Sequence, residues 1–306
     1  MRGPAPPVVV AVVGATAAGK SELALDLAER WGAEIVNTDA MQVYRGMDVG
    51  TAKLPPAQRR GVPHHLLDLL GVRETASVAQ FQRLARDMVE DCHERGVVPV
   101  LVGGSALYTR AVLDPFEFPG TDPDLRTALE EELARVGAGE LHRRLGEVDP
   151  EAAARIEPGN GRRVVRALEV VRLTGRPFGA TLPERAYVYP AAVQVGVRVP
   201  RPVLDARIEE RVRRMWRAGL VEEVRRLAAE GLREGRTASR ALGYQQVLAF
   251  LDGRCTELEA FERTVAGTRR FARRQDAWFG KDPRIRWVEG EGPDRLERAE
   301  AAVAAG

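Results

Sequence analysis

The residues of this chain that most clearly suggest chemistry are two glycines, a lysine and a serine at fixed spacing near the N-terminus. Residues 14–21 read Gly-Ala-Thr-Ala-Ala-Gly-Lys-Ser, which matches G-x-x-x-x-G-K-[ST], a loop that binds phosphate groups. Backbone N–H groups in such a loop surround an anion, and the dipole of the following helix adds positive potential. Lys20 supplies a mobile positive charge, and the Ser21 hydroxyl can bind Mg²⁺. We expect phosphate contacts from Gly14, Ala15, Thr16, Ala17, Ala18, Gly19, Lys20 and Ser21.

The elements around this loop follow the order strand, loop, helix that the motif requires. Residues 8–13 form a β-branched apolar run, typical of a buried parallel strand, and apolar residues recur on one face of residues 20–31. Strands that alternate with helices predict a parallel sheet covered by helices on both faces, which is an α/β fold. The further strand patterns occupy residues 35–36, 97–102, 193–199 and 285–288.

A second helix is predicted after Ser77, a residue type that caps helix N-termini with its hydroxyl oxygen. The helical pattern ends at Gly96, because glycine commonly follows the last turn of a helix. We expect one side of this helix to face the core, and its apolar residues are Phe81, Leu84, Ala85, Met88, Val89 and Cys92.

The segment 122–190 has a different character from the rest of the chain. Glycine and proline interrupt it repeatedly, and it contains no strand pattern. It therefore reads as short helices inserted into the α/β fold. We predict a catalytic core made of residues 1–121 and 191–306, and a helical insertion made of residues 122–190.

Charge is distributed unevenly along the chain, although the net charge is only +2. Residues 1–150 contain 16 Lys+Arg and 22 Asp+Glu, whereas residues 151–306 contain 30 and 22. The basic second half suggests a polyanionic partner. Arginine-rich helices that simply face solvent would give the same count, so charge alone leaves both interpretations open.

The spacing of the cysteines and histidines and the length of the apolar runs argue against some classes of protein. Cys92 and Cys255 belong to no metal or redox spacing, and we interpret them as reduced thiols of a cytoplasmic protein. His64 and His65 have no partner at zinc spacing and are interpreted as loop histidines. No segment approaches the ~20 apolar residues of a membrane-spanning helix. A zinc protein and an integral membrane protein are therefore not expected.

Further motifs extend along nearly the whole chain. Residues 37–45 read Asn-Thr-Asp-Ala-Met-Gln-Val-Tyr-Arg, and residues 102–108 read Val-Gly-Gly-Ser-Ala-Leu-Tyr. Together with the phosphate loop they closely resemble the tRNA dimethylallyltransferase family, and the combination is far more specific than any single motif. The other motifs that carry this resemblance occupy residues 48–53, 64–68, 158–163, 166–169, 240–246 and 273–275.

The resemblance implies a P-loop nucleotide-kinase-like core whose helical insertion contacts tRNA. It also implies transfer of the dimethylallyl group from dimethylallyl diphosphate to the exocyclic N6 amine of an adenosine, with Mg²⁺ as cofactor. That adenosine lies on the 3′ side of the anticodon in tRNAs that read codons beginning with U, and the product is N6-dimethylallyladenosine. The implied partners are the anticodon stem-loop of tRNA and dimethylallyl diphosphate, and we expect a cytoplasmic monomer.

By this resemblance the catalytic residues are Asp39, Ser105 and Arg211. The amine of adenine is a poor nucleophile, so a carboxylate that accepts its proton as the C–N bond forms assists the reaction. Asp39 holds that role, and its alternative role is a turn residue that caps the loop after the second strand. Ser105 stands where the family usually has threonine and is expected to reach both the base and the diphosphate. The clamp on the diphosphate comprises Thr16, Lys20, Arg211 and Ser21 with Mg²⁺.

An enzyme that modifies a base within an RNA stem-loop must take that base out of the stack. The resemblance implies that Met41 and Gln42 hold the extruded adenine and that arginines grip neighbouring nucleotides, since a guanidinium group pairs with phosphate and stacks on bases. Gly159 stands where the family commonly has asparagine. The residues expected to contact tRNA are Asp39, Ala40, Met41, Gln42, Ser105, Arg126, Gly159, Asn160, Gly161, Arg162, Arg163, Gly243, Tyr244, Gln245, Arg273, Arg274 and Gln275.

Three other functions fit parts of the sequence. A P-loop small-molecule kinase shares the fold and the phosphate loop, but it does not explain residues 39–44 or the basic second half. A prenyltransferase that acts on free adenine nucleotide shares the chemistry, but the long helical insertion argues against it. A non-catalytic RNA-binding ATPase would not need an aspartate beside the phosphate loop.

Overall fold

The computed structural model describes residues 8–178 and 184–305. The chain divides into two compact units. Residues 1–114 and 185–306 form one, here called the core unit, and residues 115–184 form the other, here called the helical unit. The core unit is an α/β fold built around a parallel sheet. The predicted α/β class is therefore confirmed.

The sheet of the core unit contains each of the strands predicted from apolar runs and one short strand that was not predicted. Its strands are β1 (Val8–Gly14), β2 (Glu34–Asn37), β3 (His64–His65), β4 (Pro99–Val102), β5 (Ala191–Arg198) and β6 (Ile285–Glu289). They lie in the order β3-β2-β4-β1-β5-β6, and every neighbouring pair is parallel.

The helices occupy the connections between these strands, except the last one, which follows β6. In chain order they are α1 (Lys20–Trp31), α2 (Val78–Glu94), α3 (Ala106–Leu113), α4 (Pro123–Val136), α5 (Ala138–Val148), α6 (Pro150–Arg155), α7 (Gly161–Thr174), α8 (Arg201–Arg217), α9 (Leu220–Ala229), α10 (Tyr244–Leu251), α11 (Glu257–Phe279) and α12 (Arg295–Ala304). Helices α4 to α7 belong to the helical unit and the others to the core unit. None of the helices within the described residues is long and apolar enough to cross a membrane.

The central strand β1 is apolar on both of its faces. Val9, Ala11 and Val13 join one apolar cluster, whereas Val10 and Val12 join another. Side chains alternate between the two faces of a sheet, so a strand covered by helices on both sides must be apolar throughout. This requirement explains the continuous apolar run before the phosphate loop.

The order of the strands creates a crevice at one edge of the sheet. After β1 the chain passes beyond β4 to form β2, and after β4 it passes beyond β1 to form β5. The two connections leave in opposite directions, and such a switch between carboxyl ends of parallel strands is where α/β proteins bind ligands. The phosphate loop follows β1 and residues 103–105 follow β4, so the fold brings these segments to one site.

Helix α2 confirms the predicted cap but not every residue of the predicted apolar side. The hydroxyl of Ser77 accepts a hydrogen bond from the N–H of Gln80. Leu84, however, is 37% exposed, while Gln82 is buried and donates to the carbonyl oxygen of Ala111 in α3. The buried side is turned towards Gln82 because α3 packs against α2 along that edge. The expectation that Leu84 faces the core is wrong.

The interpretation of His64 and His65 as loop residues is also wrong. They form β3 at the edge of the sheet, where they pair with Ile35 and Val36. Nε2 of His65 lies 2.7 Å from the carboxylate of Glu34. A two-residue strand has too short a pattern to be recognised, and pairing with a distant segment creates it.

The boundaries between the two units lie at other residues than predicted. Pro119 and Gly120 accept hydrogen bonds from Arg166 and lie in the helical unit. Val188 donates its N–H to Leu113 and lies in the core unit. The helical unit therefore spans 115–184 and not 122–190, because these contacts between backbone and distant partners leave no pattern in the sequence.

Candidate functional site

The phosphate loop links the carboxyl end of β1 to the first turn of α1. At Gly14, φ is 136° and a Cβ would lie 2.7 Å from the carbonyl oxygen of Val197, so a side chain does not fit. The first N–H groups of a helix have no partner within the helix, and α1 begins directly after Gly19. These N–H groups and the dipole of α1 favour an anion at this end of the helix.

Lys20 is partly buried beside the loop, and its Nζ donates to the carbonyl oxygen of Ala15 at 2.6 Å. Burial and, to a smaller extent, the charge of Arg211 lower the pKa of Lys20 to about 8, although the charges of Asp39 and Asp276 act in the opposite direction. Two cations held close together at a partly desolvated loop attract an anion with several charges. The geometry therefore suits a diphosphate.

Asp39 follows β2 and is held on both sides by hydrogen bonds. Asn37 accepts from the N–H of Asp39 at 2.9 Å and donates to its carbonyl oxygen at 3.1 Å. The carboxylate of Asp39 accepts from the N–H of Met41 at 2.8 Å. It is also near enough for its charge to raise the pKa of Lys20 and of Arg211. Asp39 thus caps the turn and also faces the cations of the phosphate loop.

Arg211 is directed from α8 towards the phosphate loop. Its Nη1 lies 3.4 Å from Oγ1 of Thr16. Burial lowers the pKa of Arg211, and the charge of Asp39 acts in the opposite direction. Arg213, two residues further along the helix, instead pairs with Glu209 and Glu210 at the surface. The helical period turns only one of these arginines towards the loop.

Gln275 of α11 bridges the two segments that line the crevice. Its Oε1 accepts from the N–H of Thr16 at 2.9 Å, and its Nε2 donates to the carbonyl oxygen of Gly104 at 2.7 Å. The residue is only 6% exposed. Both ends of its amide are therefore used inside the protein, although the family resemblance implied a contact between Gln275 and tRNA.

Ser105 follows Gly104 and stands at the N-terminus of α3. Its side chain is half-buried and makes no capping hydrogen bond to that helix. A hydroxyl that is not needed to cap its own helix is available to a ligand in the crevice. Ser105 stays a predicted contact of both the base and the diphosphate.

Glu223 of α9 is a site-forming residue that the sequence did not reveal. Its buried carboxylate accepts from the backbone N–H groups of residues 48, 49 and 50. It also accepts from the hydroxyl of Tyr244 at 2.6 Å. Tyr244 has no exposed surface, although the family resemblance implied that it contacts tRNA. The available signal was an acidic residue on the apolar side of an amphipathic helix.

Lys53 holds together the segments that follow β2. Its Nζ donates to the carbonyl oxygen of Tyr44 at 2.8 Å and to the carboxylates of Asp48 and Asp68, both at 2.6 Å. Lys53 is 7% exposed. The motifs at residues 48–53 and 64–68 thus stabilise the loop that carries Asp39.

A cleft of about 1110 Å³ opens from the phosphate loop. Its wall combines basic side chains with apolar ones such as Val49, Leu54 and Met215. This mixture suits a ligand with a charged head and an apolar tail. The basic side chains along the cleft are Lys20, Lys53, Arg60, Arg207, Arg211, Arg214 and Arg295.

The other residues of the core unit that are expected to contact tRNA differ in exposure. Ala40, Met41 and Gln42 are half-buried, and Nε2 of Gln42 donates to the carbonyl oxygen of Thr51. Gly243 is buried at the start of α10. Gln245, Arg273 and Arg274 are the more exposed members of the set, and the guanidinium of Arg274 lies over the ring of Phe271.

The helical unit contains the remaining predicted tRNA contacts. Arg126 pairs with the carboxylate of Glu169, which has no exposed surface, so this arginine already has a structural partner. Asn160 caps α7 by accepting from the N–H of Arg163 at 3.3 Å. Gly161, at the start of α7, is half-buried. Gly159, Arg162 and Arg163 are exposed. Among the described residues, the guanidinium groups of Arg162 and Arg163 form no ion pair.

Known proteins resemble this chain over almost its whole length. The family model for IPP transferase matches residues 42–282. The tRNA dimethylallyltransferase of Nocardioides sp. strain JS614 is 63% identical over 97% of this chain and 96% of its own length. That of Streptomyces coelicolor is 61% identical over 98% of this chain and 96% of its own length.

Solved structures show the same architecture. The full-length tRNA isopentenylpyrophosphate transferase of Bacillus halodurans is 39% identical and superimposes with a TM-score of 0.71, over 97% of this chain and 95% of its own. A eukaryotic dimethylallyltransferase acting on tRNA superimposes with a TM-score of 0.83 over 97% of this chain and 78% of its own. At 24% identity, the latter shows a shared fold.

Proposed function

This chain belongs to the IPP transferase family, and on that basis we propose that it transfers a dimethylallyl group from dimethylallyl diphosphate to an adenosine of tRNA. The observation that carries the proposal is the convergence of a carboxylate and two cations on one phosphate loop. The charge of Asp39 acts on both Lys20 and Arg211, and Arg211 reaches Thr16. Prenyl transfer needs this combination, because a proton leaves the nucleophile while negative charge develops on the diphosphate.

The reaction exchanges one bond for another at the first carbon of the dimethylallyl group. The N6 amine of adenine attacks this carbon, and the bond from the carbon to the diphosphate oxygen breaks. The carboxylate of Asp39 accepts the proton that the amine loses. Lys20 and Arg211 hold the negative charge of the diphosphate as it leaves.

Ser21 suits a magnesium ion beside the diphosphate. Its hydroxyl is exposed at the first turn of α1, and no side-chain hydrogen bond joins it to another of the described residues. Mg²⁺ prefers oxygen ligands and is commonly shared between a few protein oxygens and substrate phosphates. Ser21 would hold Mg²⁺, which neutralises part of the charge on the diphosphate when bound.

The proposed acceptor is the adenosine on the 3′ side of the anticodon in tRNAs that read codons beginning with U, and the product is N6-dimethylallyladenosine. The names of the relatives and the exposed arginines of both units support an RNA substrate. Met41 and Gln42, half-buried next to Asp39, would hold the extruded base. We further propose that the protein acts as a monomer in the cytoplasm, where its tRNA is found.

One incubation tests the proposed function. The protein is mixed with dimethylallyl diphosphate, Mg²⁺ and unmodified tRNA, and the digested nucleosides are analysed by mass spectrometry. We expect adenosine to gain one dimethylallyl group. Two stem-loops, whose anticodons end in A and in G, test which tRNAs are modified. Only the anticodon that ends in A pairs with codons that begin with U.

Two parallel incubations test the competing functions. Prenylated product from free adenine nucleotide, with none from tRNA, would identify a nucleotide prenyltransferase. Phosphate transfer from ATP to a small molecule, with no prenylation of any acceptor, would identify a kinase. Either result would overturn the proposal.

Arg211→Gln is expected to lower the rate of transfer by roughly 10²–10³-fold, as is typical when a donor to a developing negative charge is removed. The side chain reaches the phosphate loop, so the affinity for dimethylallyl diphosphate should fall and the affinity for tRNA should stay close to that of the parent. Single-turnover rates and binding by calorimetry measure both quantities.

The matched control for this change is Arg213→Gln on the same helix. Arg213 pairs only with surface carboxylates, and its side chain is 41% exposed. Its loss should leave both the rate and the affinities unchanged. Equal losses in the two variants would mean that α8 acts through its total charge and not through Arg211.

Arg163→Gln and Arg273→Gln are each expected to flatten the salt dependence of tRNA binding. An exposed guanidinium that meets a phosphate releases a counterion, and one lost contact reduces the slope of log affinity against log salt by about 0.7–0.9. Filter binding at several salt concentrations measures the slope. Arg263→Gln serves as control, because Arg263 lies on α11 with Arg273 but pairs with Glu259. If both test variants show the same slope of log affinity against log salt as the parent, these arginines do not contact the phosphates of tRNA.

A further inference from the structure

Gln275 connects three parts of the core unit that lie far apart in the sequence. It comes from α11, accepts from the phosphate loop at Thr16 and donates to the segment after β4 at Gly104. The next residue after Gly104 is Ser105. One side-chain amide therefore sets the spacing between the loop proposed to hold the diphosphate and the hydroxyl proposed to reach the base.

The surroundings of this amide leave it little freedom. Gln275 is 6% exposed, and a Cβ on residue 104 would collide with its Nε2. A buried amide that lost either partner would leave a polar group unsatisfied, at considerable cost in free energy. The glycine at position 104 allows the approach, and the two hydrogen bonds hold the amide in one orientation.

The phosphate-loop residue that Gln275 holds is also the one that Arg211 reaches. Gln275 accepts from the backbone N–H of Thr16, and Arg211 donates to the hydroxyl of Thr16. A displaced Thr16 would therefore move the loop relative to both the cationic clamp and Ser105. Small errors in the position of reacting groups are costly, since a displacement of about 1 Å can lower a rate by 10²-fold.

We propose that Gln275 is a positioning residue for prenyl transfer, which sets the phosphate loop against Ser105 and makes no contact with substrate or RNA. This inference rests on the proposed function. The positioning role requires, at residue 275, one planar group with a hydrogen-bond donor and a hydrogen-bond acceptor at its two ends. Among the ordinary side chains of this length, only glutamine and a protonated glutamate provide that pair of groups.

Gln275→Glu tests this requirement through pH. When protonated, the introduced carboxyl can accept from Thr16 and donate to Gly104, as the amide does. When ionised, it has no donor and repels the carbonyl oxygen of Gly104. Burial and that oxygen favour the protonated form. The positive charge of Lys20 favours the ionised form instead. The pKa of Lys20 is itself affected by the charges of Arg211, Asp39 and Asp276.

The measured quantity is the single-turnover rate of the variant divided by that of the parent at the same pH. For Gln275→Glu we expect a ratio of about 10⁻² at pH 8 that rises as the pH is lowered. Gln275→Met has a similar volume but neither hydrogen bond, so its ratio should be low at every pH. The affinity of both variants for tRNA should equal that of the parent.

Gln80→Glu is the matched control, because Gln80 is exposed on α2 and the change introduces the same charge. Its rate ratio should be close to one at every pH. A ratio for Gln275→Glu that does not change with pH, or a loss of tRNA affinity as the main effect, would overturn the positioning role. Melting temperatures show whether lower rates come from unfolding.

A separate measurement distinguishes failure of this inference from failure of the proposed function. Calorimetry with inorganic diphosphate reports on the phosphate loop without turnover. We expect weaker binding in Gln275→Met and parental binding in Gln80→Glu. If the parent prenylates no acceptor but these affinities behave as expected, the proposed function is wrong and the positioning of the loop stands. Parental diphosphate affinity in Gln275→Met, together with a parental rate, would reject the inference.

Discussion

Asp39→Asn is expected to lower the single-turnover rate of prenyl transfer by about 10²–10⁴-fold, the usual contribution of a general base. Asparagine keeps the shape of the side chain, and its oxygen can still accept from the N–H of Met41 as the carboxylate does. The variant loses only basicity and negative charge. Removing that charge beside Lys20 and Arg211 should leave the affinity for diphosphate unchanged or increase it.

A comparison with Asp39→Ala separates catalysis from capping of the turn. Alanine removes the hydrogen bond to Met41 as well, so it should lower the melting temperature where asparagine does not. Asp91→Asn, at an exposed position of α2, controls for the loss of one negative charge. If Asp39→Asn is stable and transfers the prenyl group at nearly the parental rate, Asp39 is a turn residue and not the base.

Lys20→Met is expected to reduce turnover by roughly 10²–10³-fold, because it removes a cation that stabilises the developing charge of the diphosphate. Methionine retains most of the length of lysine without the charge. Affinity for dimethylallyl diphosphate should fall, and affinity for tRNA should not. Lys281→Met is the control, since Lys281 is exposed and is one of only three lysines in the chain.

The lowered pKa of Lys20 also predicts how stability depends on pH. The pKa is about 8 in the folded protein, against the ordinary lysine value of 10.5 that applies to the unfolded chain. Between these values the unfolded chain binds more protons, so this group makes the folded protein more stable as pH rises through that window. Below pH 8 the buried cation costs stability, and Lys20→Met should melt at a higher temperature than the parent there.

The difference in melting temperature between the parent and Lys20→Met should therefore shrink as the pH rises above 8. The affinity of the parent for dimethylallyl diphosphate should weaken over the same range, because the free protein loses the charge. Subtracting the values of Lys20→Met removes the titration of the ligand itself. A difference in melting temperature that stays constant from pH 8 to pH 10.5 would contradict the lowered pKa.

Most elements of the fold could be predicted because their signals are local. The strand before the phosphate loop is a continuous apolar run, and Ser77 carries its own capping group. Where two segments create an element together, prediction failed, as at His64 and His65, whose strand exists only because β2 lies beside it. The edge of the buried face of α2 was likewise decided by α3, which buries Gln82 and leaves Leu84 exposed.

The candidate site divides in the same way. Family resemblance indicated Asp39 and Arg211, and both face the phosphate loop, although their catalytic roles stay predictions. The same resemblance assigned Tyr244 and Gln275 to RNA, and the structure buries both. A motif states which residues belong together, but it does not state whether each one touches the ligand or holds a neighbour that does.

The sequence by itself determined the phosphate loop, because eight consecutive residues build an anion site from their own backbone, one lysine and the start of one helix. Only the tertiary structure decided what surrounds it. The bond from Thr16 to Gln275 joins residues 259 positions apart, and the carboxylate of Glu223 accepts from a loop 173 to 175 positions away. Such contacts have no period and no spacing, since they arise when packing of apolar faces brings distant polar groups within hydrogen-bonding distance.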